Sequence, residues 1–464
     1  MLLFEYKILF AADFLLAPLL IVMWIGIAML IRNRKYKGTV IYKYFVPALV
    51  ARMVGAVLTA LMYQYYYGGG DTFMYFFGAK DIFDALLGAP DAAYEMLFVD
   101  MSDWKLQTFD HVKFTTFFIK EKEALVVKLG GLFSIVGLGT YIGISLGITF
   151  FSFLGCWCLF LVFYHIYPHL HRPFAYAFLF LPSMCFWSTG LMKDPLVIAG
   201  LGFFVYGIYF LLMKPNGKWI RDVILILLGV WLMKNIKIYV IASVFPATLI
   251  WFFLMFKDKI KNPTLRKIAT PVFMIGGGGL AVLAVQMLGN SFAAFSLEGF
   301  LEESAKMQWW LTLSTDRDGG TGYTLNFEPT AMGLLKVFPE AVNVTLFRPY
   351  LWEARKVIVM PSALEALFSL GYTVYVVYKV GLGKILRYLI TEPTVTFCFI
   401  FAFIFAFAVG FTSMNFGALA RYKIPCLPFY FAGLIILHSK IRYPHLGSTT
   451  IAASKAPKEK PALV

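Results

Sequence analysis

The sequence predicts an all-α integral membrane protein, a polytopic bundle of about eleven transmembrane helices. Three observations predict it. Of the 464 residues, 60% are hydrophobic and only 14% are charged, where a soluble domain is about a quarter charged. Mean hydropathy is +0.74, and the apolar runs are long and continuous, unlike the short alternating segments of a barrel. The basic residues fall in clusters between those runs, as they do in cytoplasmic loops. The formal charge of +15 therefore reads as loop charge, and no nucleic-acid partner is expected. Cys156, Cys158, Cys185, Cys398 and Cys426 lie in or beside apolar segments, which argues against a disulfide framework.

Each element follows in order. The first run, 9–31, is too long for a signal h-region and is read as a true span. Arg32, Arg34, Lys35 and Lys37 follow it and hold that end in the cytoplasm, so the N-terminus is expected outside. A span at 41–64 returns outward. Residues 65–123 form an outer segment in which 72–88 suits a helix lying in the interface. Residues 124–139 read as interfacial or re-entrant, and 141–165 as a span. Further crossings are expected at 174–187 and 195–213, then as two short helices within 223–256, then at 269–288. A second outer segment covers 289–356. The last crossings fall at 357–378, 395–411 and 424–437. The domain plan is a transmembrane body, 1–440, and a basic cytoplasmic tail, 441–464, expected to be partly disordered.

Polar residues at membrane depth are expensive and mark function by default. They gather in five places on the outer side. The first is Gly68-Gly69-Gly70-Asp71. Glycines allow a tight turn or a close ligand. Asp71 can bind a divalent cation or take a proton from an acceptor hydroxyl; capping of the next helix is the structural alternative. The second is Pro182 to Pro195, with Trp187, Lys193 and Asp194. There the ammonium suits a lipid phosphate, and a mutual Lys193–Asp194 ion pair is the alternative. The third holds Lys234 and Lys237 with no acid between them, which suits an anion or snorkelling to headgroups. The fourth is Arg348 to Lys356, where Arg348 can make a bidentate phosphate contact or anchor a helix end. The fifth is Asn415 to Pro425, with Arg421 the candidate phosphate ligand. Arg52 and Glu365 are charges inside spans that call for structural partners. The stretch Asp316-Arg317-Asp318-Gly319-Gly320 suits a mobile lid.

Several chemistries are excluded by absence of their motifs. Gly276–Gly279 has no following Lys-Ser/Thr, so it is not a phosphate loop. No HExxH, nucleophile elbow or zinc spacing occurs. His165, His169 and His171 read as a solvated turn. No transporter-type internal repeat is evident.

The order of these features resembles polytopic membrane glycosyltransferases of the GT-C superfamily, above all bacterial proteins of the protein-mannosyltransferase and aminoarabinose-transferase type. The likeness rests on Gly68-Gly69-Gly70-Asp71-Thr72 and on Pro182-Ser183 with Phe186-Trp187-Ser188-Thr189-Gly190 and Lys193-Asp194. Arg348-Pro349 with Trp352-Glu353-Ala354, and Asn415 with Gly417 and Arg421-Tyr422, add to it. It implies a GT-C-like fold and transfer of a sugar from a polyprenyl-phosphate carrier on the extracytoplasmic face. Asp71 would be base or metal ligand, with Mg or Mn as the implied cofactor. Lys193, Lys234, Lys237, Arg348 and Arg421 would hold the carrier phosphate, supported by Trp187, Asp194, Glu353 and Asn415. Thr72 departs from the family, where many members carry a second acid. The expected setting is a bacterial cytoplasmic membrane, with membrane lipid and the sugar carrier as partners. A polymerase using polyprenyl-pyrophosphate donors, a transporter or flippase for lipid-linked solutes, and a non-catalytic envelope subunit are the competing readings.

Overall fold

A computed structural model describes residues 7–119, 121–257, 321–325 and 331–442, with Trp309 and Leu313 besides. Among the described residues every regular element is helical, apart from one isolated bridge between Gly322 and Asn415. Seven helices among the described residues are long and apolar enough to cross a membrane: Ala11–Lys35, Tyr42–Tyr67, Tyr141–Ile166, Lys193–Met213, Ile238–Phe256, Val357–Val380 and Pro393–Ser413. Phe416–Tyr422 and Leu427–Arg442, bent by 64°, make an eighth if they are one broken span.

The remaining expected crossings have physical reasons to differ. Residues 174–187 are not one helix, because a wide turn at Tyr176–Phe180 and Pro182 break it into short pieces. The helix Trp219–Ile236 carries Arg221, Asp222 and Lys234 and is not among those seven. The expected span at 269–288 and the lid stretch at 316–320 lie outside the described residues. So does most of the tail, of which only Ile441 and Arg442 are described.

The chain divides into two compact units. The first holds α1 (Ala11–Lys35), α2 (Tyr42–Met62) and α3 (Asp71–Gly88). It continues with the short helices α4 (Pro90–Phe98), α5 (Leu106–Phe109) and α6 (Thr116–Ile119), then α7 (Glu121–Gly137) and most of α8 (Tyr141–Ile166). α9 (His171–Ala175) belongs to the second unit. The first unit resumes with α10 (Pro182–Trp187), α11 (Lys193–Ile208) and α12 (Trp219–Ile236).

Small residues let its helices touch backbone to backbone, the usual device of membrane bundles. A Cβ on Gly155 of α8 would stand 2.4 Å from the Ala199 Cα of α11. One on Gly229 of α12 would stand 2.5 Å from the Gly200 carbonyl oxygen. Polar anchors fix the ends. Asp13 is buried near the start of α1 and accepts hydrogen bonds from the Phe10 amide at 3.0 Å and the Ile142 amide at 2.8 Å.

The second unit packs α13 (Ile238–Phe256) against the Pro393–Ser413 helix, with Trp251 stacked on Phe397 at 4.3 Å. Gly410 approaches so closely that a Cβ there would lie 2.1 Å from the Ala341 carbonyl oxygen of the Ala331–Phe347 helix. Buried Lys440 pairs with Glu392 at 2.8 Å. Glu365 is buried in its span and acts electrostatically on buried Lys423.

Candidate functional site

Asp71 is the first residue of α3 and is exposed. The helix cap is Gly70, whose φ of 120° only glycine adopts readily. Asp71 is therefore a first-turn acid, where it complements the helix dipole, and not the cap. It makes no side-chain hydrogen bond or ion pair among the described residues. Thr72 is turned into the protein. Its buried hydroxyl donates to the Leu191 carbonyl at 2.8 Å and meets the Tyr141 hydroxyl at 2.7 Å. The start of α3 is thereby pinned to the turn that leads into Lys193.

That turn is itself held from below by Arg52. The guanidinium is fully buried in α2 and donates to the carbonyls of Met184 and Ser188 and to the Ser152 hydroxyl, at 3.2, 2.7 and 2.7 Å. Gly55, one turn on, lets α10 approach: a Cβ there would overlap the Cys185 carbonyl oxygen at 1.8 Å. Thr59, a further turn on, donates to the Phe186 carbonyl at 3.2 Å. One face of α2 thus supports the broken segment 182–192. Trp187 ends α10, buried and edge-on to Phe186 at 4.8 Å.

Lys193 and Asp194 do not pair with each other. Lys193 reaches Glu123 on α7 at 2.7 Å, and Asp194 reaches Lys237 at the end of α12 at 2.5 Å. Two ion pairs from adjacent residues thus clamp the start of α11 to both α7 and α12. The expectation that Lys237 belongs to an acid-free cationic tip is corrected by this contact, since its charge is buried against Asp194. Lys234, three residues earlier, is exposed and without an acid partner among the described residues.

Beside the clamp lies a cavity of about 810 Å³. Phe98, Trp104, Phe118 and Trp231 form its aromatic walls, and Asp100, Ser102, Lys128 and Asn235 supply polar atoms. The α4–α5 wall is set by Glu95, which accepts from the Thr108 hydroxyl at 2.5 Å and the Lys105 amide at 3.0 Å. The Trp104 indole donates to the Glu95 carbonyl at 3.0 Å.

The other expected residues fall in the second unit. Arg348 forms a two-point ion pair with Glu353, with Nε at 3.1 Å from Oε2. Its guanidinium also lies over the rings of Phe416 at 5.2 Å, Tyr323 at 5.6 Å and Tyr350 at 5.8 Å. Burial opposes both charges, yet the pair outweighs it. Arg348 is raised above its ordinary value and Glu353 is held below the usual carboxylate range. Arg348 is thus already engaged in the bidentate contact expected for a phosphate. Asn415 is the cap of the Phe416–Tyr422 helix, accepting from the Gly417 and Ala418 amides at 2.7 and 3.2 Å, a structural role. Arg421 is half-buried and lies over the Tyr422 ring at 5.5 Å.

A divalent ion needs several oxygen ligands. Among the described residues no group of three or more His, Cys, Asp or Glu gathers for one. Asp71 has no second acid beside it, and Thr72 is turned into the protein. The described residues do not fit a metal at Asp71.

Sequence reasoning missed Thr72, Glu123 and Lys128. Thr72 carried a signal, standing where an acid was expected; the other two are single charges at the start of an apolar, glycine-rich helix. No protein-family model, curated protein or solved structure matches the chain.

Proposed function

We propose that the chain is a membrane glycosyltransferase. It moves a sugar from a polyprenyl-phosphate donor to a hydroxyl of a lipid, glycan or protein acceptor on the extracytoplasmic face of a bacterial cytoplasmic membrane. The observation that carries this reading is the exposed Asp71, held by Thr72 against the turn before Lys193. The resemblance supplies the donor class, and the basic-loop pattern supplies the membrane face.

In the proposed step Asp71 takes the proton of the acceptor hydroxyl. The oxygen attacks the anomeric carbon, forming the new glycosidic bond. The bond from that carbon to the phosphate oxygen breaks, and its electron pair stays on the polyprenyl phosphate. Among the expected cations, exposed Lys234 pairs with no carboxylate among the described residues, and it suits the departing charge. Lys193, Lys237 and Arg348 would have to exchange a carboxylate for the phosphate.

That pairing favours a second reading, a non-catalytic envelope subunit in which these ions only hold helices. The test is transfer activity of Asp71→Asn at matched membrane levels. The transferase reading expects a loss of at least about 100-fold; full activity in the variant removes Asp71 from the chemistry.

A further inference from the structure

The cavity walled by Phe98, Trp104, Phe118 and Trp231 has one cation in its lining, Lys128 of α7, and one carboxylate, Asp100. Lys128 is half-buried and donates a hydrogen bond to the Val99 carbonyl at 3.3 Å. Burial pushes its ammonium below its ordinary value, with the charge of Asp100 acting the other way. No described carboxylate forms an ion pair with it. Lys193 and Lys237, by contrast, each meet a carboxylate, at 2.7 and 2.5 Å. A partly desolvated ammonium left with one neutral acceptor is an anion site in waiting.

The size and the rim restrict the anion. About 810 Å³ is in the range that holds a drug-sized ligand and far more than one inorganic phosphate fills. Large apolar side chains stand exposed among its polar lining, with Phe98 66%, Ile119 62% and Trp231 44% exposed. Such a rim suits an apolar tail or an aromatic-stacked head next to the charge. We propose that this cavity binds the phosphate head of an anionic lipid, with Lys128 as its ion partner and Trp231 and Phe98 against its apolar part. The proposal does not rest on the transferase reading, because lipid retention is measured without any transfer.

The test is native mass spectrometry of the full-length protein in detergent, with phosphatidic acid and phosphatidylcholine of identical chains as probes. Retention of phosphatidic acid is expected to exceed that of phosphatidylcholine, and Lys128→Gln should cut it about tenfold, the size of one charge-assisted contact. Lys128→Arg should keep the preference, and Lys113→Gln, an exposed lysine of the same outer segment, should leave it unchanged. Should Lys128→Gln fail to fold, Trp231→Ala on the facing wall is expected to lose at least half of the retention. Equal retention of the two lipids by the wild type would overturn the proposal, as would full retention in Lys128→Gln. Displacement of phosphatidic acid by millimolar inorganic phosphate would also overturn it, by making this a free-anion site.

Discussion

Asp81 shows how much one side chain in the outer segment can depend on its surroundings. It is buried in α3, and its Oδ2 accepts the Lys113 amide at 2.9 Å. Burial pushes its carboxyl up to about 6, against the pull of that amide and of the Lys113 charge. A carboxyl with a folded value above its unfolded one holds its proton more tightly in the folded protein. Its contribution to stability is therefore full below the ordinary carboxylate range and is lost as pH rises through about 6. Thermal unfolding of the full-length protein between pH 5 and 7.5 should show the wild type falling more steeply than Asp81→Asn; parallel curves would deny Asp81 this role. The sequence made the chemically important side chains legible at this scale, but not their partners. Asp194, Lys237, Arg348 and Glu353 stand out as charges near span ends. Arg348 and Glu353 are five residues apart and Asn415 caps its own helix, so those contacts are local. Lys193 and Glu123 lie 70 residues apart, and Lys237 and Asp194 lie 43 apart. Only tertiary packing decides such pairs.

At the scale of elements, the clamp on α11 makes a prediction. Removing one member of a buried ion pair strands the other charge and costs about 3–5 kcal/mol, whereas removing both is far milder. Lys237→Met should lower the unfolding temperature markedly, and Asp194→Asn in the same chain should restore most of the loss. A double variant as unstable as the single one would mean that the pair does not join α11 to α12. Long apolar helices were readable to within a few residues, because hydropathy alone specifies them. The broken segment 174–187 was not. Its helical pieces depend on Arg52 satisfying the freed carbonyls of Met184 and Ser188, a contact from α2 that no local pattern announces. α7 reads as an apolar, glycine-rich stretch, yet its Gly131 packs against Ile82 of α3, where a Cβ would stand 2.7 Å away.

For the whole molecule, the class was evident from composition, and among the described residues seven helices, or eight with the bent pair, have the length and apolarity to span a membrane. Orientation is a separate inference from the basic loops. It predicts that a tag before Leu9 is reached by an impermeant reagent on intact spheroplasts, while a cysteine at Lys37 is not. The reverse labelling would move Asp71 to the cytoplasmic side and end the case for an extracytoplasmic reaction. The separation of Asp71 and Lys193 from Arg348 and Arg421 into two compact units is also a whole-molecule property, and nothing in the motif order foretold it.

The most direct test of the transferase reading is a mass-spectrometric profile of lipid-linked and envelope glycans in a deletion strain carrying the wild-type gene or Asp71→Asn, matched for membrane expression. The account predicts that the variant loses one sugar from its acceptor while the corresponding polyprenyl-phosphate sugar accumulates. An unchanged profile in both the deletion and the variant would contradict it.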